Sequence, residues 1–168
     1  MAQAFILGEK FLDHKSGVMI LGDNIFYRQN IPALIQDVLL KTKQNEATIF
    51  GYKVRDPERF DVAEFDKNNQ VISIEERPKN PKSNYAIIEF YCYSGNVSEK
   101  AKTLHLSMRT NLNNLYLNEH KFNFIPLNEH STWFNTGTFK SLYDVASFIK
   151  IMQQHQNIII ECPEVIAF

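Results

Sequence analysis

Only two cysteines occur in the 168 residues, Cys92 and Cys162, far apart along the chain. Two thiols without a C-x-x-C pair make neither a disulfide framework nor a structural zinc site; buried free thiols in a reducing cytoplasm suit them better. Long apolar runs are missing as well. Val18-Met19-Ile20-Leu21 is typical of what there is, far short of a membrane span. No basic stretch followed by an apolar one comes after Met1, so no signal peptide is read. Neither sign of charge is in excess: 18 Lys and Arg stand against 19 Asp and Glu, for a formal net charge of -1. A dedicated nucleic-acid binder would show a clustered basic face, and the densest basic run, Lys41-Thr42-Lys43, reads as the solvated end of a helix.

Several site motifs are missing too. No G-x-G-x-x-G is present, which removes support for a dinucleotide-binding turn of the usual kind. Gly17 and Gly22 have P-loop spacing, but Asp23-Asn24 follow where Lys and Ser or Thr are required, and a carboxylate there repels phosphate. The five histidines show no i, i+4 pair that would suit a metal, and no G-x-S-x-G elbow occurs.

What is there suits a folded α/β domain over residues 1–168: 44% of residues are hydrophobic and 22% charged, enough for a core and against disorder. Residues 2–12 have helical spacing. Val18 to Leu21 is a short apolar strand stopped by Gly22-Asp23-Asn24. Pro32 opens a helix that turns Leu34, Ile35, Val38 and Leu39 inward, and Ala47 to Val54 returns as a strand. Strand, helix, strand of this length predicts a parallel sheet. Residues 61–65 and 71–76 form a hairpin around Asp66-Lys67-Asn68-Asn69, and Tyr85 to Tyr93 is a long aromatic and β-branched strand. Helices are expected over 96–104 and 112–119, and a strand over 121–127. A helix follows Asn135-Thr136-Gly137-Thr138 with Leu142, Val145, Ala146, Phe148 and Ile149 inward, and a last helical turn starts at Cys162-Pro163-Glu164.

Four strings remain that suggest chemistry. Leu21-Gly22-Asp23-Asn24 closes a strand, at the sheet edge where open α/β folds bind ligands. Its aspartate could hold Mg²⁺ beside phosphates, although an Asp in a turn also has a purely structural explanation. Asp56-Pro57-Glu58-Arg59-Phe60 runs on into Val62-Ala63-Glu64-Phe65-Asp66. Glu75-Glu76-Arg77-Pro78 pairs with Pro81-Lys82-Ser83-Asn84-Tyr85-Ala86. A carboxylate beside a cation can bind sugar hydroxyls and a phosphate; a surface ion-paired loop has the same composition. Trp133-Phe134-Asn135-Thr136-Gly137-Thr138 is either a ligand turn or a plain helix cap.

In this order the four strings resemble those of one family, the bacterial glucose-1-phosphate thymidylyltransferases of dTDP-sugar synthesis. The similarity runs from Ala2-Gln3-Ala4-Phe5-Ile6 to Cys162-Pro163-Glu164-Val165-Ile166-Ala167-Phe168. The resemblance implies an α/β, Rossmann-like nucleotidyltransferase fold, here an incomplete mixed sheet with flanking helices. It implies the reaction of dTTP with glucose 1-phosphate to give dTDP-glucose and pyrophosphate, dependence on Mg²⁺, and a tetramer in complete members. Gln3 matches the base-recognising glutamine, Asp23 the first Mg²⁺ aspartate and Glu76 the sugar-hydroxyl glutamate; Arg77 stands where a lysine meets the sugar phosphate. No residue is assigned a catalytic role.

The sequence also departs from that family. The glycine-rich G-x-G-T-R loop that grips the triphosphate does not occur in it, and such gripping supplies most of the acceleration in phosphoryl-type transfer. Asn135 stands at the second Mg²⁺ aspartate, and a hard cation prefers carboxylate oxygen to an amide. Asp61 and Glu89 occupy family glycines, adding bulk and negative charge where backbone should approach phosphate. Thr110-Asn111-Leu112-Asn113-Asn114-Leu115 lacks the carboxylates of the family's matching segment. Three readings follow: a homologue impaired or inactive as an isolated chain, a non-catalytic nucleotide-sugar-binding or regulatory subunit, or one half of a split enzyme. The expected partners are dTTP or dTDP-glucose, glucose 1-phosphate, and a second copy or an intact paralogue, with neither nucleic acid nor membrane. The strand ending at Asp23, without the neighbour it has in the family, is expected to leave an open apolar edge.

Overall fold

The computed structural model describes residues 2–28, 31–42, 46–104, 110–127 and 131–156. They divide into two compact units, one built from residues 1–20 and 30–128 and one from residues 21–29 and 129–168. Among the described residues no helix is long and apolar enough to cross a membrane.

The larger unit is organised by one strand. Its elements are α1 (Ala2–Leu7), α2 (Glu9–Leu12), β1 (Gly17–Ile20), α3 (Ile31–Thr42), β3 (Ala47–Lys53), β4 (Val62–Phe65), β5 (Val71–Glu75), β6 (Tyr85–Tyr93), α4 (Val97–Lys102), α5 (Thr110–Asn118) and β7 (Phe122–Pro126). The intervening β2 (Asn24–Arg28) belongs to the smaller unit. Aromatic and branched residues at six of the nine positions of β6 favour an extended chain, and all but Tyr85 and Glu89 are buried. The sheet order is β5-β4-β6-β3-β7, with β1 beside β6 as well. β6 is antiparallel to β3 on one edge; on the other it is antiparallel to β1 at its end and to β4 at its start. β3 and β7 are parallel.

The strand-helix-strand expectation is corrected in one respect. β1 and β3 run the same way, but they flank β6 and are both antiparallel to it, so neither is the other's neighbour. The antiparallel partner comes from far along the chain, and local periodicity does not reveal it. The sheet is therefore mixed, with helices packed on it; α3 lies against β3 and β6 with Val38 fully buried. Among the described residues no strand pairs with the outer edge of β1, where Val18 and Ile20 are partly exposed.

The β4–β5 hairpin closes as the sequence predicts. The Asp66 carboxylate accepts the backbone N–H groups of Asn68 and Gln70, each at 2.8 Å, while Asn69 takes a left-handed φ of 59°. At the end of α5, Tyr116 packs on Tyr93 and shares hydrogen bonds with Ser94 and Asn96, while the Tyr93 hydroxyl donates to Asn113. Burial pushes the ionisation of both phenols upward.

The smaller unit pairs β2 (Asn24–Arg28) with β8 (Ser131–Asn135) in an antiparallel ribbon and adds α6 (Phe139–Gln156). Neither strand is expected from the sequence pattern. Tyr27 and Phe134 meet Phe148 of α6 with ring centroids 5.6 and 5.1 Å apart. Val145, Phe148 and Ile149 are buried or half-buried as expected, but Leu142 and Ala146 are exposed. A two-strand ribbon covers too narrow a stripe of the helix to reach them. The turn expected at Cys162-Pro163-Glu164 lies outside the described residues.

Two positions expose what the core tolerates. A Cβ on Gly51 would sit 2.1 Å from the Phe124 ring, which also packs edge-on with Phe65 and Tyr85. Gly51→Ala is expected to cost about 1–3 kcal/mol in urea unfolding, the scale of overpacking. Adding Phe124→Leu should recover part of that loss, which unchanged additivity would contradict. Cys92 is fully buried, and burial pushes its thiol from 9.0 up to about 12. The folded state then favours the neutral thiol. Its contribution is complete below pH 9.0 and disappears as pH rises toward about 12, at up to about 1.4 kcal/mol per pH unit. Cys92→Ala should make the alkaline limb of the stability curve shallower. At pH near 8, mass spectrometry should find Cys92 alkylated no faster than the chain unfolds.

Candidate functional site

The strongest polar cluster lies in the smaller unit, where β2 and β8 begin and end. Asn24 pairs with Asn135 and Phe26 with Trp133 in the ribbon register, so these four side chains share one face. Ile25, Tyr27 and Phe134 take the other face, toward α6. Asp23 precedes β2 in a turn closed by the Asn24 N–H to the Leu21 carbonyl at 3.2 Å.

The Asp23 carboxylate accepts from two amides. Asn24 Nδ2 donates to Oδ1 at 2.9 Å and Asn135 Nδ2 donates to Oδ2 at 3.2 Å. Both amides are themselves oriented. The Trp133 indole N–H donates to Asn24 Oδ1 at 2.7 Å, and the Gly137 N–H donates to Asn135 Oδ1 at 3.0 Å. Rotating either amide by half a turn would set N–H against N–H. Thr136 adds its backbone N–H and hydroxyl to the Asp23 carbonyl at 2.7 and 3.0 Å. Sequence reasoning singles out Asp23 and Asn135 but misses Asn24, Trp133 and Thr136. All three stand in the quoted strings; what was missing is the pairing of β2 with β8, more than a hundred residues apart.

The resemblance implies a divalent cation at Asp23, and the donor set there does not fit one. Mg²⁺ takes hard oxygens in octahedral array. Here one carboxylate is met by two amide N–H groups, which present positive hydrogen to the oxygens a cation would use. Among the described residues there is no group of three or more His, Cys, Asp or Glu side chains placed to hold a metal.

The larger unit holds the other predicted residues. Glu76 and Arg77 follow β5 directly, both exposed, and Arg77 takes a left-handed φ of 41° that a long side chain rarely adopts. No hydrogen bond or ion pair within the described residues ties down either side chain. Gln3 is exposed on α1, which packs on α4, and no hydrogen bond joins it to Glu76 or Arg77. Asp61 precedes β4 and its carbonyl accepts the Ile87 N–H at 2.7 Å. Glu89 is half-buried at the irregularity of β6, where Ile49 faces Tyr91 and Phe50 faces Ile88.

Two of the suggestive strings turn out to be occupied structurally. Arg59 pairs with Asp56 at 2.6 Å in a short 3-10 turn and lies over the Phe60 ring. Lys82 reaches Glu64 at 2.9 Å and Glu75 at 3.5 Å. The Ser73 hydroxyl, with Lys82 beside it, lowers the Glu64 carboxyl, and Glu64 in turn raises Lys82. The Ser83 hydroxyl donates to the Ala63 carbonyl at 2.5 Å and accepts the Tyr85 N–H at 3.1 Å, fastening the loop to β4. A cleft of about 650 Å³ elsewhere in this unit, lined by His14, Lys15, Asn96 and Glu99 among others, includes none of the predicted site residues.

Comparison with known proteins shows the chain's relatives. A glucose-1-phosphate thymidylyltransferase of Neisseria gonorrhoeae is 42% identical over 173 aligned positions, covering 100% of this chain and 59% of that protein. A crystal structure described as a glucose-1-phosphate thymidylyltransferase of Bacillus anthracis, in complex with sucrose, superposes with a TM-score of 0.76 at 33% identity, over 88% of this chain and 60% of that one. An apo UDP-glucose pyrophosphorylase, at 16% identity and a TM-score of 0.69 over 89% of this chain and 60% of that one, shares the fold alone. The chain thus spans about three-fifths of the length of the relatives it matches. The family profile described as nucleotidyl transferase covers residues 1–151, and a match of that extent, on a mixed α/β sheet with these strings in order, places the chain in the nucleotidyl transferase family.

Proposed function

We propose that the chain is a glucose-1-phosphate thymidylyltransferase-type domain, acting on dTTP and glucose 1-phosphate, with impaired turnover by itself. The observation that supports this most is the 42% identity across the whole chain to a relative named for that activity. In the reaction an oxygen of the sugar phosphate attacks the α-phosphorus of the nucleotide and pyrophosphate leaves. The protein's share of such chemistry is positioning and compensation of charge.

In this reading Gln3 pairs with the base through its exposed amide. Glu76 accepts sugar hydroxyls, and Arg77 meets the sugar phosphate. The absence of partners for Glu76 and Arg77 among the described residues supports the assignment, since a residue tied up within the fold has no hydrogen bonds to offer. A strained backbone at Arg77 fits a side chain held out for a ligand. Impairment follows from charge. Arg59 and Lys82, the cations of neighbouring strings, are already paired with carboxylates. Mg²⁺, which the family's chemistry calls for, meets an unsuitable donor set at Asp23, so no step is assigned to it. A binding role without turnover is the second reading, favoured by the same amide-filled carboxylate.

The test has two arms. A pyrophosphate-release assay with dTTP, glucose 1-phosphate and Mg²⁺ should give turnover at least about 100-fold below that of the full-length gonococcal relative; equal turnover would refute the impairment. Calorimetric titration with dTDP-glucose should show binding, and no heat at millimolar ligand would remove both readings. Arg77→Gly separates ligand contact from backbone. It should relieve the left-handed strain, leaving stability equal or higher by about 1 kcal/mol. Affinity for dTDP-glucose should fall about tenfold, and unchanged affinity would strip Arg77 of its role.

A further inference from the structure

We propose that Asn135 takes the place of a cation at Asp23, so that β2 and β8 are fastened by amides and the wild-type chain holds no divalent metal at this carboxylate.

The charge of Asp23 must be compensated. Its carboxylate is half-buried and borders the buried Asn24 and the half-buried Trp133. Compensation of this kind usually comes from a cation or from several hydrogen bonds. Among the described residues it comes from hydrogen bonds. Asn24 reaches one oxygen and Asn135 the other, at 2.9 and 3.2 Å. The two amides are not adaptable bystanders, because Trp133 fixes the first and Gly137 fixes the second. The clamp has two relays of two donors each, one ending on either oxygen, and no carboxylate besides Asp23 within its hydrogen bonds.

Such a clamp excludes a metal in two ways. A cation approaching Oδ2 meets the hydrogens of Asn135 Nδ2, and turning that amide to offer Oδ1 would break its bond from Gly137. The second negative charge that would reward the turn is also missing, since an amide oxygen is a weaker ligand for a hard cation than a carboxylate. Replacing Asn135 by aspartate reverses both effects. It removes the donor, places two carboxylates side by side, and leaves their repulsion to be relieved by a divalent ion.

The inference does not depend on the transfer reaction, and its test uses metal alone. Free Mn²⁺ is followed by electron paramagnetic resonance during titration of the wild-type chain, Asp23→Asn and Asn135→Asp. The wild-type and Asp23→Asn curves should coincide, because Asp23 takes no metal. Asn135→Asp should bind Mn²⁺ at least about tenfold more tightly than wild type, and its melting temperature should rise by about 2 °C or more in about 5 mM Mn²⁺ while that of wild type stays fixed. Wild-type binding that Asp23→Asn abolishes would overturn the proposal. So would a folded Asn135→Asp chain that binds Mn²⁺ no better than wild type. Where Asn135→Asp does not fold, the comparison of wild type with Asp23→Asn decides by itself. Failure of the pyrophosphate assay leaves these curves unaffected, so the two conclusions stand or fall separately.

Discussion

A strand buried on both faces and bonded along both edges needs partners for its backbone groups, and β6 draws on three other strands, on the Asp61 carbonyl and on the Ser83 hydroxyl. β3 runs its full length on one side. β1 and β4 divide the other, meeting its end and its start. This division fixes much else. The hairpin of β4 and β5 must lie beside the start of β6, which leaves Glu76 and Arg77 at the end of β5. The chain leaving β1 must pass out through Leu21 to Asp23 and into a separate ribbon.

The sequence makes some of this legible and hides the rest for identifiable reasons. β6 stands out because six of its nine residues are aromatic or β-branched, a composition with few other uses. The β4–β5 hairpin stands out because Asp66-Lys67-Asn68-Asn69 has turn chemistry between two short apolar runs. Both signals are local. The order of strands is not, and the expectation of neighbouring parallel strands fails where β6, arriving some seventy residues after β1, inserts between β1 and β3. β2 and β8 are harder still. Each has five residues, and what makes them strands is a partner more than a hundred positions away. Without that pairing Asn24-Ile25-Phe26-Tyr27 is an apolar stretch after a turn, and Ser131-Thr132-Trp133-Phe134 an approach to a helix cap.

The candidate site was legible in a different way, through strings of residues more than through geometry. Those strings mix two kinds of position. Lys82, Ser83 and Asp56 stand beside ligand-facing candidates, yet their hydrogen bonds go to Glu64, Ala63 and Arg59 within the fold. Arg77, two residues past β5, is exposed on strained backbone and has no such outlet among the described residues. A motif therefore does not say which of its members touches a ligand. Accounting for each hydrogen bond does, because a side chain satisfied internally must give up a partner before it can take another.

The ribbon links core packing to the Asp23 cluster more tightly than either suggests alone. Successive side chains of a strand point to opposite faces, so a slip of one residue between β2 and β8 would exchange the faces of every pair. Phe134 and Tyr27 hold the register by closing on Phe148 of α6. With those rings buried, Trp133 and Asn135 have to emerge on the other side, two residues apart, across from Phe26 and Asn24. The diagonal from Trp133 to Asn24 then falls within reach of the indole N–H, and Asn135 stands beside the carboxylate that precedes β2. No polar group in the cluster needs to search for its place. Apolar contacts against α6 choose the register, the register aligns the amides, and the aligned amides donate to Asp23. A change in the aromatic layer would thus be felt at the carboxylate before any residue of the cluster itself was altered.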